Sequence, residues 1–514
     1  MSRIKDVPWP LLATLAAVLL AAPLWAVTIP GMPDYPAHLA SFALIAGEPS
    51  RYYLIQWAAL PNLASETLVP LLGRVMTLEA ATRLFLTATV VLWVLGPALI
   101  QRALFGRIGP SVLLSGFFAY NANFLWGFFN YGFAVGLAFL VFAAWIATDG
   151  RRTAIQLAGF AVAFTLVYFS HLVGFAILLL AIGGYELPAL LNERFSPRAL
   201  GARVLSPLLL CLPATLAFLL LKPAGAADGH ISFDILDTLL DRFESAIQVG
   251  FDRPLLPLTV ALIVLFVLAV ATGRAKVHPR MRVALALFAL AALFAPQWAL
   301  GGWGVHMRLP AVLGALAFAA LEWSVTARML RIGAAATLAL IAAGACLLAW
   351  NWRLYDAQYA EFRTHASTIR ADAKLLTVLD GDSLGWTADQ PYWHLAEFAI
   401  IDRGAFTPLL FTTAGQHIVR IRPPFGRIAA ATARQGSPPD IDELADLAAG
   451  RMDSDEDYAD VYPYLNRFQC HYDQVIAIEG PGPHASVPPM LRLRLRGSFY
   501  RLYDVVPDGA CVKR

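Results

Sequence analysis

The hydrophobic positions of the first 350 residues form long runs that are separated by short polar stretches. Most of these runs approach the roughly 20 residues that a bilayer-spanning helix needs. The pattern predicts about eleven transmembrane helices, at residues 8–28, 83–103, 111–125, 131–147, 153–170, 172–191, 205–221, 255–271, 283–300, 309–325 and 334–350. We therefore expect a mainly α fold, a polytopic membrane helical bundle.

Positive side chains cluster in every second loop between these predicted spans. The clusters are Arg102 with Arg107, Arg151 with Arg152, Arg194 with Arg198 and Arg203, Arg274 with Lys276, Arg280 and Arg282, and Arg328 with Arg331. Short loops rich in arginine and lysine stay in the cytoplasm. The N-terminus is thus expected inside and the C-terminal third outside. A cleaved signal peptide is the competing interpretation of the first run, and we favour a retained helix.

Residues 30–82 follow the first span and differ from the rest of the membrane half. Charged residues such as Glu48, Arg51 and Glu66 interrupt apolar turns that are too short to span. This mixture predicts an outer loop with amphipathic helices that lie along the membrane surface.

Beyond residue 350 the apolar runs become short, as in a soluble domain with its own core. The pattern predicts strands at 375–379, 474–478 and 499–506, helices at 356–376 and 440–451, and loops at 422–425 and 480–489. We expect residues 1–350 to form the transmembrane domain and residues 351–514 a soluble extracytoplasmic α/β domain. In such a compartment Cys470 and Cys511 could form a disulfide, and two unpaired thiols are the alternative.

Composition narrows the class of protein. Hydrophobic residues make up 58% of the chain and charged residues 15%, and the mean hydropathy is +0.60. The net charge of +3 is small and does not predict nucleic-acid binding. The sequence contains no Walker-type loop, no strand-linked Gly-x-Gly-x-x-Gly and no cysteine or histidine pair at zinc spacing. No cofactor is predicted, and an activated substrate is expected to arrive from the membrane.

The stretch after the first span carries the main candidate for chemistry. Asp34 lies between Pro33 and Tyr35, and His38 follows on the same face if a helix begins near Pro36. Capping of that helix could also explain the acid. We favour a functional role, because nothing nearby in sequence requires an acid for folding.

Further polar residues are predicted near the outer ends of the spans. They are Asn121, Asn123, Asn130, Tyr131, His171, Trp303, His306 and Arg308. Polar groups in apolar helices are costly unless they are paired or face a wet cavity. A shared cavity is one explanation. Interhelical hydrogen bonds, or an interfacial anchor in the case of Arg308, are the alternative.

This arrangement resembles the GT-C class of membrane glycosyltransferases, which use sugars linked to polyprenyl phosphate. The resemblance rests on a first span followed by a long outer loop with an early acid, here Asp34 in Pro-Asp-Tyr-Pro-Ala-His-Leu, on surface helices, on many short-looped spans and on a C-terminal extracytoplasmic domain. It implies that Asp34 is the catalytic base. The implied partners are membrane lipid, a polyprenyl-phosphate sugar donor and a glycan, lipid or protein acceptor.

The resemblance also implies roles for other residues. His38 would orient Asp34, and cations would stabilise the leaving phosphate. The candidates for the phosphate are Arg308 and His306, with Lys222 or Arg51 as substitutes, and the remaining substrate-binding set is Tyr35, Asn130, Tyr131 and His171. Many family members have a second acid in the next outer loop, often sharing a metal. Asn130 stands there, so no metal is predicted.

In the C-terminal domain, one aromatic and polar cluster is a candidate for selecting the acceptor. Its members are Tyr392, Trp393, His394, Glu397 and Arg403. They could stack on sugar, or they could dock the domain onto the spans, an interpretation that we rank slightly higher.

Two other classes of protein stay open at this point. A non-catalytic protein of envelope polysaccharide assembly would keep the fold without needing Asp34. A secondary transporter would show internal repeats and charges at mid-membrane, and neither is clear in the sequence. Scarce lysine beside abundant arginine and alanine is typical of a GC-rich bacterial genome, so we expect a protein of the bacterial inner membrane.

Overall fold

The structure is a computed structural model that describes residues 8–149, 152–221, 231–251, 253–299, 301–381, 390–431, 435–449, 461–480, 483–507 and 511. The helices are α1 (Trp9–Trp25), α2 (Tyr35–Ala46), α3 (Ala64–Leu72), α4 (Leu78–Phe105), α5 (Ser111–Gly116), α6 (Ala122–Trp126), α7 (Phe129–Ala147), α8 (Ala154–Ser170), α9 (Leu172–Asn192), α10 (Pro197–Leu200), α11 (Ser206–Leu210), α12 (Leu212–Leu221), α13 (Leu239–Glu244), α14 (Leu256–Ala271), α15 (Met281–Phe294), α16 (Leu309–Ala319), α17 (Ala327–Thr364), α18 (Phe398–Arg403) and α19 (Glu443–Ala449). The strands are β1 (Tyr53–Ile55), β2 (Ala275–Val277), β3 (Trp298–Ala299), β4 (Gly302–Trp303), β5 (Leu321–Trp323), β6 (Leu375–Asp380), β7 (Val419–Ile421), β8 (Gln474–Glu479), β9 (Leu491–Arg496) and β10 (Tyr500–Val505).

The membrane half is a bundle of apolar helices. Among the described residues, five helices are long and apolar enough to cross a membrane: Leu78–Phe105, Phe129–Ala147, Leu172–Asn192, Pro197–Leu220 and Ala327–Thr368. The shorter apolar helices α1, α8, α15 and α16 pack against this set. The chain is thus a multi-pass membrane protein, and the count of about eleven spans stays a prediction.

Helices α4 and α7 form the most extensive helix pair of this bundle. Gly96 of α4 permits the close approach, because a Cβ there would lie 2.4 Å from the Cβ of Phe139. The indole of Trp93 donates a hydrogen bond of 2.9 Å to the carbonyl of Gly132 across the same interface. Small residues and interhelical hydrogen bonds are what holds helices together where lipid removes the hydrophobic driving force.

The predicted continuous span at residues 111–125 is wrong. The chain forms α5, a 3-10 turn at Phe117–Ala119 and then α6. Asn121 lies at the break with extended backbone angles, and its side chain accepts a hydrogen bond from the Phe124 N–H at 3.2 Å and donates one to the Phe118 carbonyl at 2.9 Å. This side chain therefore starts a new helix within an apolar run.

Helix α2 of the outer loop also differs from the expectation. Every residue of α2 from Tyr35 to Leu44 is buried, so this helix does not lie on the membrane surface as an amphipathic helix. It packs against α18 of the C-terminal domain, and β1 pairs antiparallel with β7 of that domain. Apart from His38 and Ser41, the side chains of α2 from Tyr35 to Leu44 are apolar or aromatic, as is typical of a helix that is covered on all sides.

Helix α17 connects the two halves without interruption. It runs from Ala327 to Thr364 and passes through the predicted domain boundary between residues 350 and 351. The helix predicted at 356–376 is therefore the end of α17, and it stops at Thr364 instead of continuing to residue 376. Asp356 on this helix accepts the backbone N–H groups of Thr28 and Ile29 at 3.0 and 2.9 Å. The start of the outer loop is thereby fixed to α17.

The C-terminal residues form a four-stranded sheet in the order β6-β8-β10-β9. Strands β6 and β8 are parallel, and the other two pairs are antiparallel. The three predicted strands are confirmed as β6, β8 and β10, and the helix predicted at 440–451 as α19. Strand β9 was not predicted, although leucine and arginine alternate along it. A disulfide joins Cys470 to Cys511, which decides between the two alternatives for these cysteines.

Candidate functional site

A cavity of about 400 Å³ lies between the membrane half and the C-terminal domain. Both halves contribute to its wall, which is largely aromatic and contains one carboxylate, Asp34, and one permanent cation, Arg308, among the described lining residues. The polar lining residues are Asp34, His38, Asn62, Asn130, Tyr131, His171, Arg308, His394, Thr413, Gln416, His417 and Ser437. The cavity thus has the size and the lining of a small-molecule site.

Asp34 lies at the N-terminus of α2, and its side chain makes no capping hydrogen bond. Its backbone N–H donates to the Trp126 carbonyl at 3.0 Å, and the Trp126 indole donates to its carboxylate. Burial raises the pKa of Asp34 to about 7, against the opposing effects of His394 and of the Trp126 hydrogen bond. The structure therefore gives the acid no capping role, and it holds the carboxylate at a pKa suited to a general base.

The His38 imidazole does not bond to Asp34. Its Nε2 lies 3.1 Å from the Gly127 carbonyl, to which it donates, and its ring stacks on Phe129 with centroids 4.5 Å apart. Burial lowers the pKa of His38 to about 3, so this imidazole is neutral. His38 lines the cavity, but its polar contact fixes the turn after α6 rather than the carboxylate.

Three further predicted residues line the cavity and are also bonded to the scaffold. The Asn130 amide accepts from the Ser65 N–H and donates to Glu66, both at 2.7 Å. The Tyr131 hydroxyl donates to the Arg308 carbonyl. The Nδ1 of His171 accepts from the Val173 N–H at 3.1 Å and caps α9. All three line the cavity, while their polar atoms hold helices together.

Arg308 lies directly before α16 and is buried beneath aromatic rings. Its guanidinium carbon lies 5.2 Å from the Phe128 ring centroid and 5.7 Å from that of Tyr131. One Nη donates to the Trp303 carbonyl at 3.0 Å, while Nε is buried without a hydrogen-bond partner among the described residues. Burial lowers the pKa of Arg308 to about 10, which still leaves it charged at neutral pH. An unpaired buried N–H donor on a cation is a suitable anchor for an anion.

Three other candidates, Tyr35, His306 and Arg51, lie away from the cavity wall. Tyr35 packs edge-on against Phe129 with centroids 5.9 Å apart. His306 is fully buried, with Nε2 3.7 Å from an Asp241 carboxylate oxygen. Arg51 is exposed, and Lys222 lies outside the described residues. Among the proposed phosphate-binding cations, only Arg308 is placed by the described structure at the cavity.

The aromatic and polar cluster of the C-terminal domain divides into two groups. Trp393 and His394 line the cavity, and the His394 Nε2 lies 3.9 Å from the Asp34 Oδ1. Tyr392 instead donates to Gln358 on α17, and Arg403 donates to the Ile369 carbonyl at 3.0 Å. The first group faces the site and the second makes contacts within the scaffold.

Several polar residues of the cavity wall are not predicted by any pattern in the sequence. They are Asn62, Thr413, Gln416, His417 and Ser437. None of them belongs to a motif, and they come from segments far apart in the chain. Only the packing of the C-terminal domain onto the outer loop brings them together.

One group of potential metal ligands occurs among the described residues. Side-chain ligand atoms of Asp380, Glu479 and His484 lie within 4.8 Å of one another, and none of these residues lines the cavity. The Arg501 guanidinium pairs with Glu479 and lies 3.6 Å from Asp380. This cation offsets part of the negative charge of the two carboxylates, so we interpret the group as an ion-paired edge of the sheet.

Comparison with known proteins gives a fold and no close relative. No family model matches the chain, and no curated protein matches it significantly. The crystal structure of ArnT from Cupriavidus metallidurans in the apo state is similar at 12% identity with a TM-score of 0.52, covering 98% of both chains. The same protein bound to undecaprenyl phosphate gives 12% identity, a TM-score of 0.51 and the same coverage. The cryo-EM structure of arabinofuranosyltransferase AftD from Mycobacteria is 16% identical in sequence with a TM-score of 0.48, and the match covers 98% of this chain and 40% of that one. From the ArnT structures, this chain has the GT-C fold that its sequence resembles.

Proposed function

We propose that this protein is an integral membrane glycosyltransferase of the GT-C type. It transfers a sugar from a polyprenyl-phosphate donor to a hydroxyl of a glycan, lipid or protein acceptor. The observation that carries this proposal is the state of Asp34, a buried acid at the wall of an aromatic-lined cavity without a capping bond that would explain its burial. Burying an ionisable group costs free energy, and function is the common reason that such a cost persists.

The reaction is a displacement at the anomeric carbon of the donor sugar. The acceptor oxygen forms a bond to that carbon while the bond from the carbon to the phosphate oxygen breaks. The acceptor proton passes to the carboxylate of Asp34, and the electron pair of the broken bond leaves with the polyprenyl phosphate. A carboxylate whose pKa burial raises to about 7 is ionised in part at neutral pH and basic enough to accept this proton.

Arg308 would bind the phosphate of the donor. Its unpaired Nε and its charge favour an anion, and they stabilise the leaving group as negative charge develops there. The solved ArnT structure with undecaprenyl phosphate supports a polyprenyl phosphate as the lipid partner of this fold. Trp126, Trp303 and Trp393 supply flat apolar surfaces on which sugar rings can pack.

The proposed location is the bacterial inner membrane, with the cavity and the C-terminal domain outside the cytoplasm. The arginine clusters in the predicted inner loops support this orientation. The Cys470–Cys511 disulfide also supports it, because disulfides persist in oxidising compartments. A donor carried by a membrane lipid suits a compartment that lacks nucleotide-activated sugars.

The test compares the purified wild type with Asp34→Asn in nanodiscs. Membrane lipid extracts from several bacteria supply the labelled sugar in lipid-linked form, and its transfer to endogenous acceptors is measured. We expect transfer by the wild type and a loss of at least about 100-fold in the variant, which keeps the shape of the side chain but cannot accept the proton. Asp237→Asn is the matched control, because Asp237 is exposed and lies outside the cavity.

Two results would contradict the proposal. Equal transfer by the wild type and a folded Asp34→Asn variant would remove Asp34 from the chemistry. Absence of transfer by the wild type across all lipid pools would favour the non-catalytic role in envelope polysaccharide assembly.

A further inference from the structure

His394 lies between two buried carboxylates that come from different halves of the molecule. Its Nε2 is 3.9 Å from the Asp34 Oδ1, and its Nδ1 is 3.2 Å from the Glu397 Oε1. Asp34, His394 and Glu397 are 9%, 5% and 1% exposed. The same Glu397 oxygen accepts from the Thr407 hydroxyl at 3.3 Å, and the His394 ring packs edge-on against Phe411. The imidazole is thus fixed on both sides and faces the candidate base.

We propose that His394, paired with Glu397, is a positioning residue that favours the ionised form of Asp34 and orients it toward the cavity. This inference rests on the proposed function, in which Asp34 is the base. It assigns to the C-terminal domain a direct electrostatic part in catalysis, in addition to covering the cavity.

The charges around the pair support this assignment. Burial by itself lowers the pKa of His394, but Glu397, and to a smaller extent Asp34, reverse this effect and place the pKa above its ordinary value. Among the described residues, the other titratable groups near the Asp34–His394 pair are His38 from α2 and His417 from the segment before β7, and burial lowers their pKa values to about 3 and about 4. They are therefore neutral, and His394 is the imidazole beside Asp34 whose surroundings favour the charged form. An opposite charge at this distance favours the ionised acid.

The docking contacts of the domain make this arrangement possible. Arg363 on α17 pairs with Glu79 of α4 at 3.1 Å and with Asp402 of α18 at 2.7 Å. The β1–β7 pairing joins the outer loop to the domain from the other side. His394 reaches Asp34 only while these contacts seat the domain on the membrane half. The base is therefore fully prepared only in the docked molecule.

The first experiment records the pH dependence of kcat/KM for the wild type, His394→Gln, Glu397→Gln and the double variant. In His394→Gln, loss of the cation should shift the acidic limb of the kcat/KM profile to higher pH by roughly one unit. Glu397→Gln should move it in the same direction, because an uncharged residue no longer supports the charged imidazole. The double variant should shift no further than His394→Gln. His471→Gln is the matched control, because His471 belongs to the same domain but lies outside the cavity.

A second measurement does not depend on turnover. The carboxyl C=O stretch of Asp34, assigned as the infrared difference between the wild type and Asp34→Asn in nanodiscs, is titrated in the wild type and in both single variants. If His394→Gln does not fold, the isosteric variant Glu397→Gln provides the comparison with the wild type. An upward shift of this titration is expected in each folded variant.

The outcomes separate the two proposals. If the infrared titration shifts but the wild type transfers no sugar, the pairing stands and the proposed function fails. If the wild type transfers sugar and neither the acidic limb nor the infrared titration moves, the role of His394 is overturned and the proposed function stands.

Discussion

Gly127 lies directly against Asp34. A Cβ on Gly127 would be 2.7 Å from the Asp34 Cβ, and the φ angle of Gly127 is +113°, in the region that side chains rarely adopt. The backbone N–H of Asp34 is at the same time bonded to the carbonyl of the preceding Trp126. The turn between α6 and α7 thus fixes the position of the candidate base, and only glycine fits at its closest point.

Gly127→Ala should therefore displace Asp34. We expect kcat to fall at least about 10-fold, because a shift of about 1 Å in a catalytic group has effects of that size or larger, together with a stability loss of about 1–3 kcal/mol from the strained backbone. Gly47→Ala is the matched control, since Gly47 has φ +110° and nothing within 4 Å of its added Cβ. Equal kcat values for the two variants would contradict the positioning role of Gly127.

Transfer activity should rise with pH and reach its plateau above about pH 7. Asp34 accepts a proton only as a carboxylate, and burial raises its pKa to about 7. Below that pH, kcat/KM should fall about tenfold per unit, as expected for one essential base. Initial rates between pH 5 and 9, with donor and acceptor integrity checked at each pH, provide the measurement. A plateau extending down to pH 5 would show that the base has an ordinary carboxyl pKa.

Asp34→Asn should stabilise the fold at neutral and alkaline pH. The folded-state pKa lies above the ordinary 3.8, so the folded chain holds the proton more tightly than the unfolded chain does. Ionising Asp34 therefore lowers the free energy of unfolding as pH rises from about 4 to about 7. The apparent Tm of the variant in detergent should exceed that of the wild type at pH 8 and match it at pH 4. A lower Tm at pH 8 would mean that the carboxylate is stabilised by its surroundings.

Arg308→Gln should weaken catalysis with a polyprenyl-phosphate donor. Loss of the cation removes stabilisation of the leaving phosphate, and we expect kcat/KM to fall roughly 10²-fold to 10³-fold. Arg308→Lys keeps the charge but not the geometry of the guanidinium and should retain intermediate activity. Arg492→Gln on the exposed side of β9 is the control. Full activity of Arg308→Gln would remove this residue from phosphate binding.

Breaking the Cys470–Cys511 disulfide should destabilise the C-terminal domain rather than the membrane half. The sequence separation of 41 residues corresponds to about 3–4 kcal/mol of lost loop constraint. The double variant with Cys470→Ser and Cys511→Ser should show a lower midpoint temperature for the first transition of thermal unfolding. Replacing the two free cysteines, Cys211 and Cys346, with alanine is the control. An unchanged midpoint temperature of the first transition would indicate that the disulfide does not limit the stability of the C-terminal domain.

The membrane architecture could be predicted because each membrane helix satisfies its own backbone hydrogen bonds. Whether a segment inserts therefore depends mainly on its own composition, and the helices α4, α7 and α9 appear where hydropathy placed them. Prediction from hydropathy was wrong at Asn121, where one buried side chain caps a new helix inside an apolar run. It also failed for α2, because hydropathy does not reveal whether a helix outside the bilayer is covered by another domain.

By itself, the sequence determined the multi-pass character of the protein, the three strands β6, β8 and β10, and the candidacy of Asp34, all of which follow from short stretches of chain. Only the tertiary structure decided that His394 rather than His38 faces the Asp34 carboxylate, and that Arg308 lines the cavity while His306 does not. Spacing along a helix fixes which face a residue occupies, but not which partner a distant domain brings to that face. Those pairings depend on long-range packing, which no local pattern of residues encodes.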